Sequence, residues 1–127
     1  MSESRFKFRA FLNDEMYYFD FSNLSDGYIC GTELPTIYLT NAPIMQSTDL
    51  KDKNGKLIYE GDLIRDTRKE YDSDLFMIEW NQDGAWQLSY VDGSQFDFTI
   101  SSFIVERSEI VGNRWENPEL LKEQDDN

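Results

Sequence analysis

The sequence predicts a mainly β protein, and three observations carry that prediction. Aromatic side chains make up 15% of the 127 residues, with nine Phe, seven Tyr and three Trp, and such side chains favour pleated, half-buried surfaces. Several short runs alternate apolar and polar residues with the period of two that a strand imposes. Turn residues separate the runs: Asn13-Asp14, Asn54-Gly55, Asn81 to Gly84 and Asp92-Gly93.

The elements follow in order. Phe6, Phe8, Ala10 and Leu12 alternate with Arg5, Lys7, Arg9 and Phe11, giving a strand with one apolar and one mostly basic face. Asn13-Asp14-Glu15 turns the chain into a hairpin partner over Met16 to Phe21. Tyr28 to Cys30 and Thr36 to Thr40 read as short strands, and Ile44 to Ser47 as another strand or an extended connection. Leu57 to Arg65 reads as one strand interrupted by Gly61-Asp62. The charged run from Asp66 to Asp74 reads as an exposed loop. Leu75 to Trp80 and Ala85 to Val91 form a hairpin around Asn81 to Gly84, and Phe96 to Ile100 adds a further strand. Phe103 to Glu106 and Glu109 to Val111 read as short edge strands. Asn117-Pro118-Glu119 is a helix start: Asn caps, Pro fits the first helical position, and Glu favours the positive end of the dipole.

Five short β segments between residues 57 and 111 point to a small SH3-like barrel. The expected organisation is an N-terminal hairpin-containing portion over 1–55 and a barrel with a short C-terminal helix over 56–127. The two are expected to pack tightly.

Charge narrows the function classes. Lys plus Arg is 12 and Asp plus Glu is 25, a formal net charge of −13. Residues 1–63 carry 6 basic and 10 acidic side chains, and residues 64–127 carry 6 and 15. Such a field repels phosphate backbones, so direct nucleic-acid binding is disfavoured. The single Cys30 allows no internal disulfide and fits a reducing compartment. The charged start of the chain is unlike a signal peptide, and no run approaches 18 apolar residues, so a bacterial cytoplasmic location is expected.

Three blocks resemble a known family. Lys7-Phe8-Arg9-Ala10 resembles the opening of the YopX family of phage and prophage proteins. Ile44 to Thr48 and Leu50 to Ile64 resemble its central signature, and Ile110 to Leu121 its closing segment. The blocks come in the family's order and span most of the chain. Asp49 stands where a Gly is usual, and Phe11 where a Trp is common. The resemblance implies a C-terminal SH3-type barrel and a phage or prophage origin. It implies no activity, because the family has no assigned biochemical function. The signature residues it marks are Asn54, Gly55, Tyr59, Glu60, Gly61, Asp62, Gly112, Asn113, Asn117 and Pro118.

Each chemical motif also has a structural explanation. Asp52, Asn54 and Gly55 invite a calcium loop, but the EF-hand pattern then puts Leu50 and Gly61 at two oxygen-ligand positions, so Asn54-Gly55 is better read as the centre of a tight turn. Glu60 and Asp62, two apart on one strand, share a face and could do acid–base work, yet Gly61 between them marks a bend or bulge. The chain has no His, which removes the commonest general base and metal ligand. Cys30 is expected to be a buried, inert thiol. No nucleophile, phosphate-loop, metal or cofactor constellation occurs, so no cofactor is expected. Trp80, Trp86, Tyr90 and Trp115 form a candidate binding surface, set against core packing of Trp80 with Phe76 and Ile78. Arg5, Lys7 and Arg9 form a basic stripe that is either solvated or paired with acidic residues.

The leading expectation is a non-enzymatic protein-binding module of phage type with a host or phage protein as partner. The alternatives are an acidic nucleic-acid mimic that occupies a DNA-binding protein, with its carboxylates at 66–74 and 116–126, and an enzyme using Glu60 and Asp62. Homo-oligomerisation through sheet edges is a further possibility.

Overall fold

The structure is a computed structural model that describes residues 7–31, 33–40, 42–66, 75–80, 84–91, 97–99 and 102–122. Tyr90, residues 97–99, residues 102–104 and Lys122 are described by their backbone alone. The chain is mainly β, as the composition and alternation predict. It divides into two compact units, Met1–Ser47 and Thr48–Asn127. The division falls inside a strand, upstream of the polar turn at Asn54-Gly55.

The first unit is built on a hairpin. β1 (Lys7–Leu12) pairs antiparallel with β2 (Glu15–Asp20), Leu12 opposite Glu15. The two intervening residues, Asn13 and Asp14, have φ of 53° and 65°. Both lie in the left-handed region, the geometry of a type I′ turn, which Asn and Asp tolerate best among residues with a side chain. A 3-10 turn, Phe21–Asn23, follows β2. Asp20 caps it: its Oδ1 accepts from the Ser22 N–H, and the Asn23 side chain accepts from the Asp20 N–H. Next come β3 (Leu24–Ser25), β4 (Tyr28–Gly31) and β5 (Leu34–Tyr38), a three-stranded sheet in that order.

β6 (Ile44–Lys51) starts in this unit, where Gln46, Met45 and Ile44 pair with Phe8, Arg9 and Ala10 of β1. The core collects Ala10, Phe19, Ile29 and Ile37, with Phe8, Leu12, Tyr17, Leu34 and Ala42 packed around them. Phe8 and Phe19 stack with centroids 5.5 Å apart.

Two expectations for this unit need correction. Arg9 is not on a solvated basic stripe; it is 3% exposed, and its Nε donates to Met45 Sδ at 3.4 Å. Alternation identifies the second face of a strand but not what covers it. Cys30 is half-buried rather than fully buried. It follows Ile29, which turns into the core, and sits where the register between β4 and β5 shifts, between Ile29 and Gly31.

The second unit holds the rest of β6, then β7 (Leu57–Tyr59), β8 (Asp62–Asp66), β9 (Leu75–Trp80), β10 (Trp86–Tyr90), β11 (Asp97–Thr99) and β12 (Ser108–Asn113). Five of these form an antiparallel sheet in the order β11-β10-β9-β8-β12. Two helices, α1 (Ser102–Arg107) and α2 (Pro118–Lys122), precede and follow β12. Ile58, Ile64, Phe76, Ile78, Leu88 and Val105 form the core, each fully buried. Each such side chain contributes about 1.5–3 kcal/mol through removal from water.

Three sequence expectations change here. Leu57 to Arg65 is two strands, split at the turn Glu60-Gly61. Phe103 to Glu106 is helix, not edge strand. A short apolar run has no period that separates strand from helix, and the decision is tertiary, because α1 places Val105 in the core. Asp66 belongs to β8 and is 2% exposed, so it is not part of an exposed loop. Residues 67–74 lie outside the described residues.

Candidate functional site

The signature residues come together as a set of turns that fix the strands of the second unit. Asp52, 5% exposed, organises the hairpin between β6 and β7. Its Oδ1 accepts from the N–H groups of Asn54 and Lys56, both at 2.9 Å, and its Oδ2 accepts from Ile110 N–H of β12 at 3.0 Å. The Lys53 N–H donates to the Ser108 carbonyl at 2.9 Å. One carboxylate therefore closes the hairpin and ties it to a strand more than fifty residues away in sequence. An Asp two residues before Asn54-Gly55 is the Asx-turn signal that identifies this role. Gly55 sits in this turn with φ +80°.

Glu60 and Asp62 do not share a strand face. Glu60 lies in the turn, half-buried, while Asp62 begins β8 at 2% exposure. Asp62 Oδ2 accepts from the Tyr59 N–H at 2.8 Å and so spans the turn. Gly61 between them has φ 86°. Its N–H donates to the Ile78 carbonyl at 2.8 Å, and its carbonyl accepts from the Arg114 N–H at 2.9 Å. A side chain there would be strained by the backbone conformation.

The closing segment works the same way. Asn113, 6% exposed, accepts at Oδ1 from the N–H groups of Trp115 and Glu116, at 3.0 and 2.8 Å. Its Nδ2 donates to Glu116 Oε1 at 2.8 Å. Asn117 Oδ1 accepts in return from the Asn113 N–H at 3.1 Å, and the Asn117 carbonyl accepts from Leu120 as α2 begins at Pro118. A Cβ added at Gly112 would lie 2.6 Å from Asn117 Oδ1, a distance real Cβ contacts do not reach, so the close approach requires glycine.

Asp66 and Arg107 form a buried bidentate ion pair that the sequence reading missed. Arg107 Nε and its terminal nitrogen donate to the two Asp66 oxygens at 2.9 and 2.8 Å, with side-chain exposures of 11% and 0%. The pair joins the end of β8 to the end of α1. Lys53 and Glu109, by contrast, are both well exposed at 3.7 Å and contribute little. Among the described residues no group of three His, Cys, Asp or Glu is arranged to hold a metal ion. No helix among them is long and apolar enough to cross a membrane.

The four candidate binding aromatics fall into different places. Trp80 and Trp86 are opposite one another on β9 and β10, and their rings meet edge to face, 4.8 Å between centroids at 74°. Phe76 and Ile78, on the same face of β9, are fully buried, yet Trp80 at the strand's end is 54% exposed. The apolar stripe therefore runs out of the core into solvent. Trp86 is half-buried and packs on the core. Tyr90 pairs through its backbone with Phe76; its side chain lies outside the described residues. Trp115 follows β12, half-buried, with the Arg114 guanidinium 4.9 Å from its ring centroid.

Comparison with known proteins places the chain in a family and beside a solved structure. The family model described as YopX protein matches residues 7–122. The chain belongs to the YopX family. The match takes in both units and every one of the turn residues above. Within β6, Asp49 adopts a φ of 65°, in the left-handed region that glycine occupies without strain. A crystal structure of protein EF1440 from Enterococcus faecalis is similar over 91% of this chain and 97% of that one, at 29% identity and a TM-score of 0.58. No curated protein matches the chain.

Proposed function

We propose that this YopX-family protein is a protein-binding module of phage or prophage type, working without catalysis in the cytoplasm of a bacterial host. The observation that carries the reading is Trp80. It is a large aromatic at the end of β9, 54% exposed and in edge-to-face contact with Trp86. Soluble proteins leave single apolar residues on their surface freely, but an exposed, pre-ordered Trp is the residue type that dominates binding energy at interfaces. Its ring is already fixed by a neighbour, so little side-chain freedom is lost when a partner covers it. Support also comes from the buried carboxylates of the second unit, among them Asp62 of the enzyme alternative. Asp52 and Asp62 accept backbone N–H bonds, and Asp66 is engaged by Arg107, so these acids hold strands and turns in place.

The test is partner capture from bacterial lysate at several salt concentrations, with the wild-type chain and a Trp80→Asp variant as paired baits. A partner retained by the wild type and lost by the variant is the expected result. Failure of the wild type to retain any protein above background in every condition sinks the reading.

A further inference from the structure

The reading of Trp80 as a binding surface leaves open what chemistry it receives. We propose that Trp80 receives a cationic side chain of the partner, an arginine guanidinium by preference, on its half-exposed indole. This rests on the binding-surface reading and names the partner: a basic peptide segment.

Three observations point to that occupant. The first is geometric. Trp80 and Trp86 are direct cross-strand partners in an edge-to-face contact of 4.8 Å. Trp86 is anchored on the core, while Trp80 keeps more than half its surface in solvent. Of the aromatic rings, the indole face attracts a cation most strongly. The second is charge. Residues 48–127 carry 9 basic and 19 acidic side chains, a net of −10, so the unit that presents Trp80 draws cations toward it and repels anions. That field disfavours a nucleic acid. It also disfavours a second copy, because each chain carries −13. The third is a precedent within the chain: Arg114 already lies over the Trp115 ring at 4.9 Å, the same pair of groups in the same chemistry.

The test uses the full chain labelled with 15N. Its three Trp give three indole N–H signals, and a Trp80→Phe variant assigns the one that matters. Two blocked peptides are titrated: one of alternating glycine and arginine, and its citrulline counterpart, which is neutral and nearly isosteric. The arginine peptide is expected to move the Trp80 signal and to bind at least about 5-fold more tightly than the citrulline peptide, with the preference shrinking as salt rises. A Trp80→Leu variant, apolar but without a π face, is expected to lose that preference.

Equal binding of both peptides, unchanged in Trp80→Leu, overturns the cationic assignment and leaves the binding surface standing. A Trp80 signal that neither peptide moves also overturns it, and so does one that moves only with the protein's own concentration. Lysate capture with Trp80→Asp judges the binding surface separately.

Discussion

Truncating Asp66 should be among the most damaging single changes in the second unit. Its carboxylate is fully buried and accepts two Arg107 donors at 2.8 and 2.9 Å, with Arg107 itself only 11% exposed. Asp66→Ala removes the group that neutralises a guanidinium held largely out of water. Breaking such a pair from one side costs about 3–5 kcal/mol, because the remaining charge loses its compensation. Natural domains have only about 5–15 kcal/mol of stability in total. A loss of about 4 kcal/mol at a urea slope of about 2 kcal/mol/M moves the midpoint down by about 2 M.

The assay is urea unfolding followed by tryptophan fluorescence, with Asp66→Ala, Arg107→Met and the double variant Asp66→Leu/Arg107→Met. The double variant should recover much of the loss, since an apolar pair of similar volume replaces both charges. If Asp66→Ala shifts the midpoint by less than about 0.5 M, or if the two single losses simply add, the pair does not join β8 to α1 in the way described.

Other consequences are equally specific. Asp49 holds a left-handed φ of 65°, so Asp49→Val should be less stable than Asp49→Gly by about 1–2 kcal/mol in the same urea assay. Gly112→Ala should lower the thermal midpoint by several degrees, because its Cβ would meet Asn117 Oδ1 at 2.6 Å; Asn117→Gly in the same chain should recover part of that specific clash. The Asp20 carboxyl is held below its usual 3.8 by the Ser22 hydroxyl and N–H and by the Lys7 charge. A lowered folded value means stability that is present above about pH 4 and lost as pH falls through the folded value, so a carbon-detected titration should place Asp20 below a free Asp. The Tyr17 hydroxyl is raised above 10.0, chiefly by its hydrogen bond to Glu15, then by burial and the Glu15 charge. Its contribution is present below pH 10 and lost as pH rises through the folded value; Glu15→Gln should bring the Tyr17 absorbance titration back toward 10.0.

Local signals in the sequence were strong wherever backbone geometry decides the outcome. Asn13-Asp14-Glu15 reads as a turn, and the hairpin forms there on Asn13 and Asp14 alone, both at positive φ, with Glu15 already in β2 opposite Leu12. Gly61 marks a bend because few residues accept positive φ, and Asn117-Pro118 starts a helix. What the sequence hid are outcomes of tertiary packing. Alternation leaves Arg9 open between solvent and a partner, and the charged run sends Asp66 to an exposed loop, yet both are buried beside partners distant in sequence. The segment Ser102–Arg107 is rich in residues that favour strands, yet it is helix because that places Val105 in the core. Trp80 followed its apolar stripe on paper, but the stripe's last member lies past the edge of the core. A period of two says which face a residue takes and not how far the core extends along it.

On the proposed reading, Trp80 serves chiefly to bind and not to hold the fold together. The most direct measurement is the affinity of the captured partner for the wild type and for Trp80→Asp, with both unfolding midpoints determined alongside. An affinity loss of at least about 30-fold is expected, the effect of removing an interface hot spot, while loss of the Trp80–Trp86 contact lowers stability by only about 1–2 kcal/mol, too little to unfold the variant. Unchanged affinity, or a loss matched by unfolding of the variant, contradicts it.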